Sequence, residues 1–500
     1  MKLPRGRLLL IFISVLYFAV HLPGLISLPV FSDEAIYIRW AQVAFHEPEK
    51  YAFLPMLDGK PPLHVWSLIP FLQVFEDPLL AGRLVSVMAG LFTMYVFGLL
   101  VKELGGSEDD RFLGMIIVLI TPFWFFHHRM ALAEAELGLV FALGLLFGLR
   151  MMRKFHWKDF IGFALSFGLA LWIKTTALFF IPVYALIPLL CIAFEKQSLQ
   201  LKDVVQIYWN RRIVGLAVSG MIGIVLFLLL RLSPLFPSLF TRSADYTFSF
   251  TQIMDGEWRY VLLESLPRTM VWIIWYMSPF LLFASFYGKK RNLVLFLMSV
   301  VYAAPLLIMG RVLSARYFFP LATPLSLMGL FGIKELMKQN KKGMLIKLAI
   351  MYVFHVVSFM SFAIFQPAKI PLTHEDATQY LREWSSGYGI PEATKFFSEK
   401  IKDKKITVGT EGFFGTLPDG LQIYFDRNPN HENIEIIGVG QPLHTIPDKL
   451  LESAKKQETF LLVNQHRFFL KTEGEHLQFT VIARYPRPLQ GPDLLLLQIL

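Results

Sequence analysis

Long apolar runs recur through most of this chain, and they leave it few ways to fold. Runs near 8–29, 79–101, 112–127, 131–149, 159–173, 175–194, 213–231, 269–287, 292–309, 317–334 and 344–365 each reach or approach the ~20 residues a helix needs to cross a bilayer. The composition agrees: 55% hydrophobic and only 17% charged, where soluble domains carry roughly a quarter charged residues. With 15% aromatic residues, disorder and collagen-like repetition are excluded. The expected fold class is a polytopic α-helical membrane protein with about eleven spans. Cys191 is the one cysteine and lies inside an apolar run, so no intramolecular disulfide can form.

The net charge of +10 has a topological explanation. Lys2, Arg5 and Arg7 precede the first run, which places the N-terminus in the cytoplasm. No small-x-small cleavage pattern follows, so the run is read as a retained helix and not a signal peptide. Alternating sides from there puts Arg150, Arg153, Lys154 and Lys158 inside, then Lys196, Lys202, Arg211 and Arg212, then Lys289, Lys290 and Arg291, then Lys334 to Lys347. The long loops near 30–78 and 232–268 fall outside and are poorer in Lys and Arg. Nucleic-acid binding is not needed to account for the charge.

An inside start and eleven spans leave the C-terminus outside. After Phe365 the sequence turns polar, with predicted helices near 374–385, 391–402 and 446–457 and strand-like runs at 405–409, 433–438, 459–464, 478–484 and 493–500. The expected organisation is therefore a transmembrane domain over 1–365 and a small extracytoplasmic α/β domain over 366–500.

Ionisable groups at the edge of an apolar region tend to mark function. Four clusters sit at outer ends. Ser32-Asp33-Glu34 follows the first run; it reads either as a helix start, with Ser32 as cap and two acids complementing the dipole, or as a catalytic group. Tyr37, Arg39 and Trp40 on the same stretch suit an interfacial helix. Asp58-Gly59-Lys60-Pro61-Pro62-Leu63 is either a turn with a snorkelling lysine or a stiff mount for a cation facing phosphate. His127-His128-Arg129-Met130-Ala131-Leu132-Ala133-Glu134-Ala135-Glu136 suggests a metal at first sight. Adjacent histidines do not share a helix face, however, and Glu134 and Glu136 diverge on one, so no complete ligand set is visible and Glu134 is expected to point into an outer cavity. Arg316-Tyr317, at the entry to the tenth run, is an interface anchor or a phosphate contact, and Lys174 is a further outer-edge cation.

Taken in order, Asp-Glu after the first run, Lys-Pro-Pro-Leu, Arg-Met-Ala-Leu with an acid two residues on, and Arg-Tyr-x-x-Pro, the pattern resembles the GT-C glycosyltransferases. Within them it is similar to the superfamily of dolichyl-phosphate-mannose protein mannosyltransferases and lipid A aminoarabinose transferases, glycosyltransferase family 39 and its bacterial relatives, across residues 8–335. The resemblance implies a cell-membrane, multi-pass enzyme that takes a monosaccharide from a polyprenyl-phosphate carrier and passes it to a protein, lipid or glycan on the outer face. It implies Asp33 as the catalytic carboxylate with Glu34 beside it, Lys60 on the carrier phosphate, and Arg316 and Tyr317 near that phosphate. Arg129, Glu134, Lys174 and Tyr37 are further cavity candidates. Glu134 stands where relatives usually have Asp and Ala133 where they have Thr; Gly59 replaces the Glu that some aminoarabinose transferases have, so no metal contact is carried over and no cofactor is expected. Nothing here is long enough for the inserted outer domain of the yeast-type enzymes, which favours a bacterial relative.

The chemistry suits these residue types. A lipid-linked sugar phosphate is already activated, so a cation at the departing oxygens and a carboxylate to take the acceptor's proton suffice. The rival reading is a secondary transporter or lipid flippase, which would place its ionisable groups near the midplane on broken helices. An oligosaccharyltransferase would carry Trp-Trp-Asp in its outer domain, whereas Trp384 is followed by Ser385-Ser386. The outer loop 232–268, with Arg242, Asp245, Tyr246, Arg259 and Arg268, is a candidate lining for the donor groove.

Overall fold

The structure is a computed structural model and describes residues 5–195, 201–440, 442–469 and 479–500. Lys2, Lys196 and the first residue of the predicted strand 478–484 lie outside the described residues. Among the described residues, five helices are long and apolar enough to cross a membrane: Pro78–Glu103, Ala133–Arg153, Arg211–Leu232, Lys289–Met309 and Lys342–Phe365. Two more runs are bent pairs, Thr175–Tyr184 with Ile187–Glu195 at 41° and Phe250–Met277 with Pro279–Ser285 at 96°.

The other four predicted runs are shorter or interrupted. Arg5–His21 and Trp157–Ile173 are 17 residues each. The run 112–127 breaks at Thr121, whose extended backbone precedes Pro122, because a residue before proline is driven out of the helical region. The run 317–334 begins as the 3₁₀ turn Ala315–Leu321, with Pro320 inside it, before the helix Ala322–Lys338. Apolar length alone does not reveal these breaks; the prolines do.

By packing the chain divides into two compact units, Met1–Pro23, Ala52–His64 and Val85–Ser361 in one, and Gly24–Tyr51, Val65–Leu84 and Phe362–Leu500 in the other. In the first, small residues let helices approach. A Cβ on Gly223 would stand 3.1 Å from the Ala164 carbonyl oxygen, and one on Gly168 would stand 3.3 Å from the Gly223 carbonyl oxygen. At Gly332 a Cβ would overlap the Ala284 carbonyl. Gly332→Ala is therefore expected to lower stability by about 1–3 kcal/mol, the usual range for overpacking, read as an earlier thermal transition of the purified protein.

The second unit is built on a five-stranded sheet of order β2-β1-β3-β5-β4. Strands β1 (Ile406–Thr410), β2 (Ile434–Gly438) and β3 (Glu458–Asn464) run parallel, while β4 (Phe479–Arg487) and β5 (Gly491–Ile499) form an antiparallel hairpin joined to β3. Strand β3 is buried on both faces, as parallel strands covered by helices are. Leu461 and Val463 pack with Leu450 of the helix Asp448–Ala454. On the other side Phe460 meets Phe397 of the helix Ile390–Lys400, ring centroids 5.5 Å apart. These strands and the two helices fall within a few residues of the sequence reading. The predicted helix 374–385 is shorter, a helical turn His374–Ala377 running into a wider turn that ends at Arg382.

The helix Ser32–His46 belongs to this second unit, a union that the sequence reading had not made. Ser32 N–H donates to the Ser385 carbonyl at 3.0 Å and Phe31 bridges to Ser386. Farther along, Gln42 donates to the Ile423 carbonyl at 2.9 Å, and Arg39 pairs with Asp426 at 2.9 Å.

Candidate active site

In the second unit the first turn of Ser32–His46 is set by its acids. Phe31, not the expected Ser32, is the N-cap, because the Glu34 carboxylate reaches back to accept the Phe31 N–H at 2.9 Å. Glu34 is 0% exposed and forms a bidentate pair with Arg83, itself 1% exposed: Nε to Oε1 at 2.8 Å and Nη2 to Oε2 at 2.7 Å. Arg83 also donates to the Leu25 and Leu28 carbonyls at 2.7 and 2.8 Å. Glu34 is thus enclosed and its oxygens are engaged, which suits holding the helix start. Asp33, one residue earlier, is half-buried, and Tyr37 and Trp40 follow at i+4 and i+7 on the same helical stripe, their rings 6.1 Å apart.

In the first unit Lys60 follows a 3₁₀ turn, Leu54–Asp58, closed by Gly59 at φ 73°. Lys60 Nζ meets Asp58 Oδ2 at 2.7 Å, while Arg242 pairs with the other oxygen of Asp58. Asp58 therefore stands between two cations, and Arg242 also pairs with Asp245 at 3.1 Å. His64, four residues on, is buried and contacts Glu136 Oε2 through Nδ1 at 2.7 Å. That contact ties the Lys-Pro-Pro stretch to the helix Ala133–Arg153.

Glu134, on the first turn of that helix, takes a different partner from Glu136, as the sequence spacing predicts. It is buried and pairs with Lys174 at 2.5 Å. Lys174 lies 4.5 Å over the Tyr317 ring and Arg316 lies 5.5 Å from the same ring. The Tyr317 carbonyl accepts from the Tyr302 hydroxyl at 2.9 Å. Glu134 also lies in the field of Arg316, so this carboxylate faces two cations. Cations gathered on stiff backbone suit an anion such as phosphate.

Arg129 behaves otherwise. It is buried and donates to the His21 and Pro23 carbonyls, the latter at 2.9 Å, with Phe125 stacked 5.0 Å away. It pins the end of the first helix. Among the described residues no three His, Cys, Asp or Glu side chains gather as a metal-binding group.

The structure brings Glu134, Lys174, Arg316 and Tyr317 together, and Asp33 and Tyr37 together on one helix face. His64 and Arg83 were not singled out from the sequence, and Asp58 and Glu136 appeared there only as members of their clusters. Arg83 alone carried a signal, an arginine within a predicted span.

The profile of the dolichyl-phosphate-mannose-protein mannosyltransferase family matches residues 59–218, a stretch that holds Lys60, Arg129, Glu134 and Lys174. No curated protein sequence matches the chain. Among solved structures, ArnT from Cupriavidus metallidurans in the apo state is similar over 98% of this chain and 97% of its own, with a TM-score of 0.56 and 13% identity. A crystal structure of the same protein bound to undecaprenyl phosphate has the same coverage and identity and a TM-score of 0.55. The chain therefore shares the ArnT fold from end to end, as the resemblance implied.

Proposed function

We propose that this chain is an integral membrane glycosyltransferase that moves a monosaccharide from a polyprenyl-phosphate carrier to an acceptor on the outer face of the cell membrane. The observation that carries this reading is the end-to-end likeness to a protein crystallised with undecaprenyl phosphate. The gathering of Lys174 and Arg316 at Glu134, and of Lys60 and Arg242 at Asp58, supports it. In the proposed step an acceptor hydroxyl or amine attacks the anomeric carbon and the carbon–oxygen bond to phosphate breaks. Asp33 takes the acceptor's proton, and the carrier phosphate leaves with the bonding pair. Lys60 and Arg316 stabilise charge on the departing oxygens, with Tyr317 and Lys174 fixing the arginine's surroundings. A single displacement inverts the anomeric carbon. Glu34 serves by holding the helix that presents Asp33.

In this reading the N-terminus is cytoplasmic, the C-terminal domain extracytoplasmic, and the partners are the lipid-linked sugar, its acceptor and membrane lipids, with no nucleic acid and no required cofactor. The test is incubation in proteoliposomes with a panel of polyprenyl-phosphate sugars and candidate acceptors, read by mass shift of the acceptor. Substrate flux without any transfer would instead establish the transporter or flippase reading.

Lys60→Ala is expected to raise the KM for carrier-linked sugar by about ten- to a hundredfold, the scale of one hydrogen bond to a charged group. Arg242 continues to neutralise Asp58 in that variant. Initial rates against donor concentration check it, and unchanged donor kinetics would return Lys60 to a snorkelling role.

A further inference from the structure

The C-terminal sheet holds a polar cluster that the transfer step does not use. Because β1 lies between β2 and β3, the chain segments leaving β1 and β3 part company at their carboxyl ends. In open α/β sheets ligands bind in the crevice at such a switch point. Glu411, the residue after β1, stands there and is 2% exposed. Its Oε2 accepts the backbone N–H and the side-chain Nδ2 of Asn464 at 2.8 and 2.9 Å, and its Oε1 accepts from Arg467 at 3.1 Å. A carboxylate only accepts, so the amide nitrogen of Asn464 must face it. Among the described residues this leaves Asn464 Oδ1 buried without a hydrogen-bond partner, in a residue 2% exposed. Native structures rarely leave such an atom unsatisfied without cause.

One aromatic ring lies against this cluster and two more sit in the loop that follows Glu411. The Arg467 guanidinium lies 4.4 Å over the Trp384 ring. Gly412 and Gly415, at φ 86° and 102°, bracket Phe413 and Phe414, which are 68% and 50% exposed. Gly412 is tied to Gly440, after β2, by a 2.8 Å backbone bond, so the loop's base is fixed while its two rings stay outside the core. The loop's far end reaches the residue before the proposed base: a Cβ on Gly415 would stand 2.7 Å from Ser32 Oγ and 3.7 Å from Trp384. Ser32 directly precedes Asp33.

We propose that this switch point and its loop form a sugar-binding site that seats a glycan acceptor next to Asp33. A sugar ring offers hydroxyls that both donate and accept, which suits a locked carboxylate, an amide oxygen lacking a donor and a guanidinium. Its flat C–H faces suit exposed aromatic rings. Glu411 and Arg467 cancel in charge, which selects a neutral glycan over an anionic one. The site rests on the transferase reading for its role as acceptor site and narrows that acceptor to a glycan.

The test titrates the full-length protein in detergent with methyl glycosides of glucose, galactose, mannose and N-acetylglucosamine, followed by saturation-transfer NMR and calorimetry. At least one glycoside is expected to bind, with its Kd raised about tenfold or more in the Phe413→Ala/Phe414→Ala protein, the loss of one good ring contact. Both rings are exposed, so an unchanged thermal transition should accompany the loss. Arg467→Lys, which keeps the charge on Glu411 but removes the planar stack on Trp384, is expected to weaken binding as well. The proposal is overturned if no glycoside binds up to its solubility limit, if the double variant binds as wild type does, or if a serine- and threonine-containing peptide binds there instead. Glycoside binding without sugar transfer from any carrier would sink the transferase reading and leave the sugar site standing. Transfer with an unaltered acceptor KM in the double variant would do the reverse.

Discussion

Asp33→Asn should lose about 10²–10⁴-fold in sugar transfer, the usual contribution of a positioned general base, while the protein stays folded and still binds its lipid donor. The side chains have the same shape, and the residue occupies the second helical position, where either is tolerated. The helix start is held by other groups: Glu34 on Phe31 and Arg83, and Ser32 on Ser385. What Asn cannot do is take a proton from the attacking acceptor. Initial transfer rates at saturating acceptor, paired with equilibrium binding of carrier-linked sugar, separate these possibilities. A variant turning over within a few-fold of wild type would remove Asp33 as base; one that no longer binds donor would make it a binding group instead.

Much of this was legible in the sequence, for reasons that differ between elements. The strands of the C-terminal sheet announce themselves because β1 and β3 are short apolar runs bounded by turn residues, and covered parallel strands show little else. The pairing of Glu134 and Glu136 with different partners follows from helical geometry alone. The breaks at Thr121-Pro122 and Ser278-Pro279 were visible as prolines, but hydropathy averaged over ~20 residues smooths them away. Long-range partnerships were the least legible. Nothing local to Glu34 names Arg83, 49 residues on. Nothing in the stretch after Ser32 says that its helix will dock on Ser385, Ile423 and Asp426 and so join the C-terminal sheet. Arg129 shows the same limit: in sequence it is an outer-edge cation, and nothing near it says that in the fold it donates to the carbonyls that end the first helix.

The neighbouring residue yields the opposite phenotype. Glu34→Gln keeps the shape of the side chain but strands Arg83, which is 1% exposed and whose other acceptors among the described residues are the backbone carbonyls of Leu25, Leu28 and Pro29. Breaking a buried pair from one side typically costs about 3–5 kcal/mol, since the remaining charge stays desolvated and uncompensated. Arg83→Met should cost a similar amount by leaving the carboxylate. Replacing both, Glu34→Met with Arg83→Met, should be less damaging than the sum of the single changes, because no buried charge is left unmatched. Thermal unfolding of the purified proteins, with hydrogen exchange on the Ser32–His46 segment, reads the series. The singles should unfold well below wild type and expose that helix early, while Asp33→Asn should unfold alongside wild type. Equal stability of Glu34→Gln and wild type would show that the pair does not hold the helix. Glu34 would then return as a partner to Asp33 in the proposed chemistry, to be tested by its own transfer kinetics.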